Sequence, residues 1–137
     1  MKKLISIFLV LLMLMGFSAC GSFAPRSDSV YIKLYNKTGS AIKSFALNEY
    51  ENFVLKSTTV AQNADGSCFL NGEEIIFEVL DAEPDTLSFV IKAEDSHKTS
   101  FRTKTISAAM LRRGVIYSYS AEIFDDRLVL KYEGTET

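Results

Sequence analysis

The residues with chemical potential are few and scattered. His97 is the single histidine, and it stands in the polar run Asp95-Ser96-His97, which reads as a turn. A nucleophile needs a base held beside it, and no G-x-S-x-G or Cys–His spacing supplies that pair. Zinc needs three or four His, Cys or carboxylate ligands. One His, two Cys and no C-x-x-C or H-E-x-x-H fall short. No Gly-rich phosphate loop occurs. The expectation is a chain that is not an enzyme and holds no cofactor. Scattered carboxylates acting as a glycosidase-like pair are the remaining catalytic alternative.

Charge is unevenly distributed. Between Lys56 and Lys92 there is no basic residue, while seven acids fall in that interval. Asp81, Glu83 and Asp85 sit at i, i+2, i+4, a spacing that calcium loops use. The Gly and the distal Glu of an EF-hand are missing, so a solvated acidic surface is the competing reading. Such charge also discourages edge-to-edge strand pairing. The basic residues come next: Lys92, Lys98, Arg102, Lys104, Arg112 and Arg113 lie within 22 residues. If neighbouring strands present Lys98, Arg102, Lys104, Arg112 and Arg113 on one face, that face suits anionic lipid headgroups.

The elements that must position these residues are strands, preceded by an address. The chain has 137 residues, 47% of them hydrophobic, with a formal net charge of −2. That excludes a disordered chain and a disulfide scaffold, and it gives no general attraction to nucleic acid. Lys2 and Lys3 are followed by an apolar run from Leu4 to Phe17, broken only by Ser6 and Gly16. The run is shorter than the ~20 residues that span a bilayer, and its layout is that of a secretory signal peptide. It ends Phe17-Ser18-Ala19-Cys20, which resembles the lipobox of bacterial lipoproteins. The resemblance implies cleavage before Cys20 and a lipid on its sulfur. It implies an envelope location, at the outer membrane in a Gram-negative source, with the membrane as partner through Cys20. Residues 1–19 are then signal peptide, 20–29 a flexible lipidated tether of up to about 35 Å, 30–133 the folded domain and 134–137 a disordered tail. Cys68 becomes the one thiol of the mature chain, either a small buried apolar residue or a site of pairing between molecules.

From Val30 onward period-2 alternation dominates. Val30, Ile32 and Leu34 share one face, and Ala41 to Leu47 follows as a hairpin partner across Asn36-Lys37-Thr38-Gly39. Phe53 to Val60, Glu74 to Leu80, Leu87 to Ala93, Thr99 to Ile106, Val115 to Phe124 and Arg127 to Tyr132 read as further strands. Ser107 to Arg113, stopped by Gly114, is the single helix candidate. The fold expected is all-β, an antiparallel Ig-like β-sandwich of about seven to eight strands.

Tyr31 to Gly39 and Leu111 to Tyr117 are similar to segments of small envelope lipoprotein sandwiches, the latter to fimbrillin-type modules. Together these readings point to a lipid-anchored envelope protein whose non-catalytic sandwich binds a protein or cell-wall partner or serves structurally. A subunit of a fimbria-like or adhesive surface assembly is the alternative.

Overall fold

A computed structural model describes residues 23–79 and 86–137. The signal segment, Cys20, and the trio Asp81, Glu83 and Asp85 lie outside the described residues. Among the described residues nine strands form two stacked sheets, and there is no helix. Sheet I runs β4 (Glu74–Val79), β1 (Val30–Asn36), β8 (Ile116–Phe124), β9 (Arg127–Glu136). Sheet II runs β3 (Val54–Ala61), β2 (Ile42–Glu51), β5 (Leu87–Asp95), β6 (Ser100–Arg102), with β7 (Ile106–Ser107) also on β5.

Alternation explains the layers. Ile32, Leu34, Phe77, Tyr117 and Ala121 of sheet I meet Phe45, Leu47, Phe89 and Ile91 of sheet II in one continuous core. Burying such side chains contributes about 1.5–3 kcal/mol each.

Four expectations need correction. First, β1 and β2 are not a hairpin. β1 lies between β4 and β8, and the chain crosses to the other sheet after Asn36. Second, the pairing is not wholly antiparallel, because β1 and β8 run parallel from Tyr31↔Ile116 to Asn36↔Ala121. Third, residues 108–113 are not helical but cross from sheet II to sheet I by turns. Ala108 and Leu111 are tucked into the core there, and their i, i+3 spacing imitates a helical face. Gly114 has φ +74°, a left-handed conformation that glycine adopts without strain, and the Ser27 backbone lies in ordinary contact 3.5 Å from where a Cβ would stand. Fourth, the expected tail is strand: β9 continues to Glu136, which pairs with Ile116.

The described part of the expected tether, residues 23–29, is also laid down on the domain. The Phe23 ring packs edge-on at 5.0 Å from Tyr31. The Arg26 amide donates to the Tyr31 hydroxyl at 2.8 Å. Ser29 and Tyr31 hydroxyls both donate to Glu78, and the Gly114 amide donates to the Ser29 carbonyl.

The last strand is held by charge as well as by its ladder. Lys33 Nζ lies 2.8 Å from both carboxylate oxygens of Glu136. That hydrogen bond is the main cause that holds Glu136 below the usual carboxylate range and Lys33 above its own. The stabilisation from Glu136 is therefore present above the ordinary carboxylate range and lost as pH falls through its depressed folded value. Lys33 loses its share as pH rises through its raised value. Glu136→Gln is expected to flatten the acid limb of a stability-against-pH curve. It does not abolish that limb, because Asp95 is also depressed, chiefly by the Thr99 amide. Thermal unfolding followed across the acid range checks this.

Candidate functional site: a cationic groove on sheet II

The outer face of sheet II carries a groove of about 580 Å³, within the usual size range for ligand pockets. Lys92, Arg102, Lys104 and Arg127 line it with Tyr50 and Phe53, and no acid does. Among the described residues none of these four cations has a carboxylate within salt-bridge distance.

Three of the four cations, Lys92, Arg102 and Lys104, are placed by local causes, and Arg127 comes from β9 of sheet I. In β5 the inward set is Leu87, Phe89, Ile91 and Ala93, so Ser88, Val90 and Lys92 face outward into the groove. The β5–β6 register sets Lys92 directly opposite Arg102. After Arg102 the strand breaks at a side-chain bond. The Thr103 amide donates to the Ile91 carbonyl at 2.9 Å, and the Ile91 amide donates to Thr103 Oγ1 at 3.1 Å. The hydroxyl thus takes a ladder position that a main-chain carbonyl would fill, and Lys104 and Thr105 swing out to line the groove before β7 resumes. Thr103→Val removes the acceptor of a buried amide. We expect a loss of about 1–3 kcal/mol in denaturant unfolding.

Two features of the groove oppose folding stability. Like charges directly across neighbouring strands repel, and Lys92 and Arg102 are such a pair. In the β2–β3 hairpin, Asn52 and Phe53 both have positive φ, +49° and +68°. That turn suits Asn-Gly, yet its second position holds a large aromatic that is 94% exposed. Phe53→Gly is expected to stabilise the fold by up to about 1 kcal/mol by relieving the left-handed strain, read as a rise in denaturant midpoint. If Phe53 serves the groove, the same variant weakens binding there.

The basic residues singled out from sequence are divided. Arg102 and Lys104 reach the groove. Lys98 has φ +65° in the β5–β6 turn, where Asp95 Oδ1 accepts from the His97 and Thr99 amides. Arg112 and Arg113 lie in the crossing before β8, beside Gly114 and Ser29, and the Arg112 amide donates to the Tyr117 hydroxyl. They do not form one face with Lys98. The exposed His97 is not among the groove residues, and Cys68 is a half-buried free thiol. No three metal-ligating side chains converge among the described residues. Tyr50, Phe53 and Arg127 escaped sequence reasoning. The positions of Tyr50 and Lys92 follow from strand alternation once the strand pairing is known. That of Arg127 depends on how the two sheets stack, which leaves no local signal.

No family model matches the chain, and no curated protein is significantly similar to it. Among solved structures it is similar to a candidate cell adhesion protein from Bacteroides ovatus ATCC 8483, with TM-score 0.40 and 10% identity over 80% of this chain. The match spans 45% of that protein, and a likeness at this level carries no argument about ligand or partner.

Proposed function

We propose that the chain is a membrane-anchored, non-catalytic envelope module that binds an anionic ligand in the groove of sheet II. The observation that supports it is the gathering of four cations and two aromatics at one place, without a balancing acid. A mixed-charge solvated surface has no reason to set Lys92 against Arg102 or to keep Phe53 in a left-handed turn. Phosphate, sulfate or carboxylate groups fit this donor set, since Arg gives forked donors and Lys a point charge.

Titration with inorganic tripolyphosphate tests the groove. Binding is expected to weaken as salt is raised. The double variant Arg102→Ala/Arg127→Ala is expected to lose at least tenfold in affinity, while Lys98→Ala and Arg112→Ala retain it. Equal losses from all of them would refute a localised site. The anchor is tested separately, by intact mass after growth with labelled palmitate. The wild type gains the acyl mass and Cys20→Ala does not.

A second reading, a subunit of an adhesive surface assembly, is supported by β9. It lies at the edge of sheet I and, among the described residues, pairs on one side only, with β8. An added β9 peptide that exchanges into the folded protein would favour it, and a stable monomer that excludes the peptide would count against it.

A further inference from the structure

A second groove, of about 630 Å³, opens where the edge of sheet I meets the broken edge of sheet II. Ile106, Phe124, Leu128, Val129 and Leu130 give it an apolar wall. Phe124 and Val129 are 69% and 44% exposed, large apolar side chains that the fold itself leaves in water. Between β6 and β7 the chain leaves the ladder after Thr103, and Thr103, Lys104 and Ile106 of that break form the wall of the groove opposite β9. The two grooves are neighbours. Thr103, Lys104 and Arg127 line both and form a cationic ridge between a polar basin and an apolar one. Asp125, at the tip of the β8–β9 hairpin, lines the apolar groove and is the single acid in either lining. Arg127 closes that hairpin opposite Phe124, so the side of the groove on which Lys104 and Arg127 converge is the cationic one and suits an anionic head.

From this juxtaposition we infer that the ligand is an anionic amphiphile, its head group on Lys104 and Arg127 and its hydrocarbon chain along β9. The inference rests on the proposed anion groove and deepens it. Charge complementarity selects this occupant over a wholly apolar one. The chemistry required is a carboxylate or phosphate joined to an acyl chain, met by a free fatty acid or by a phospholipid.

Calorimetric titrations below the micelle concentration, on the full chain, decide it. Dodecanoate is expected to bind at least tenfold more tightly than butanoate, since each added methylene contributes roughly twofold even when partly buried. It is also expected to bind at least tenfold more tightly than uncharged dodecanol, which lacks the carboxylate that Lys104 and Arg127 would meet. Lys104→Ala/Arg127→Ala should abolish the preference for dodecanoate over dodecanol. Phe124→Thr/Val129→Thr, which keeps strand-forming residues at exposed positions, should abolish the dependence on chain length. A lysophosphatidic acid of the same chain length distinguishes the sources: tighter binding than dodecanoate assigns a phospholipid, weaker binding a fatty acid. Affinity independent of chain length would overturn the inference while leaving the anion groove in place. Equal affinity for dodecanol and dodecanoate would also overturn it, as would a ligand-free dimer that covers β9. Failure of tripolyphosphate and every amphiphile alike would remove the anion groove as well.

Discussion

Phe45→Ala is expected to lower folding stability by about 3–5 kcal/mol, the range for truncating a fully buried aromatic. Phe45 has no exposed surface, and its ring lies 5.8 Å from that of Phe69. Phe69 lies in the connection between β3 and β4. It is held to β2 by a reciprocal bridge, Ile42 amide to Phe69 carbonyl at 3.1 Å and the reverse at 2.7 Å. The substitution therefore opens a cavity and also removes the ring against which this connecting segment packs. Domains of this size have about 5–15 kcal/mol in total, so the variant stands near the threshold of folding. Urea unfolding of Phe45→Ala beside Phe45→Leu measures it. Leu, which refills most of the volume, should retain most of the stability. If the two variants unfold together, packing at this position is not what matters.

Asn36→Ala is expected to cost about 2–4 kcal/mol, although it removes only a small polar side chain. Asn36 is fully buried at the end of β1, where the chain leaves sheet I. Its amide group donates to the carbonyls of Phe69, Leu70 and Ser40, and its Oδ1 accepts from the amide and hydroxyl of Thr38. Its own amide and carbonyl bond Glu73 and Gly72. One side chain thus ties the crossing between sheets to the segment leading into β4. Buried groups left without partners cost about 1–3 kcal/mol each, which sets the magnitude. Asn36→Asp is the informative companion: a carboxylate there faces three carbonyls, so it should be worse than Ala at neutral pH and recover as acid neutralises it. A pH-independent Asp variant would show that the donor edge of Asn36 contributes little.

Most strands were legible, because a half-buried strand writes its alternation into the sequence. Val30-Ile32-Leu34 and Tyr117-Tyr119-Ala121-Ile123 turn inward as the pattern requires. Which strands pair was not legible around Asn36 to Ser40. A short polar connection looks the same whether it makes a hairpin or passes between sheets, and the difference lies in the contacts of Asn36 with residues more than thirty positions away. The break at Thr103 was hidden for a related reason: a Thr-rich run reads as one strand until its hydroxyl is seen to replace a carbonyl. Of the groove, Arg102 and Lys104 could be marked from charge alone. Their company with Lys92 and Arg127 depends on register and sheet stacking. The notion of one basic face failed because Lys98 and Arg112 belong to turns at different ends of the strands.

The docking of residues 23–29 onto sheet I would shorten the lipid tether proposed above. With Cys20 as the lipid-bearing residue, only three peptide steps separate it from Phe23, a reach of roughly 10 Å at full stretch. The sandwich would then be moored short, not floating on a long line. The crossing that carries Met110 and Arg112 would be berthed toward the bilayer, and the β8–β9 tip would point seaward. The cleft on sheet II would stand on the hull's flank at a height set by strand length, within reach of molecules leaving the membrane as well as those arriving from outside.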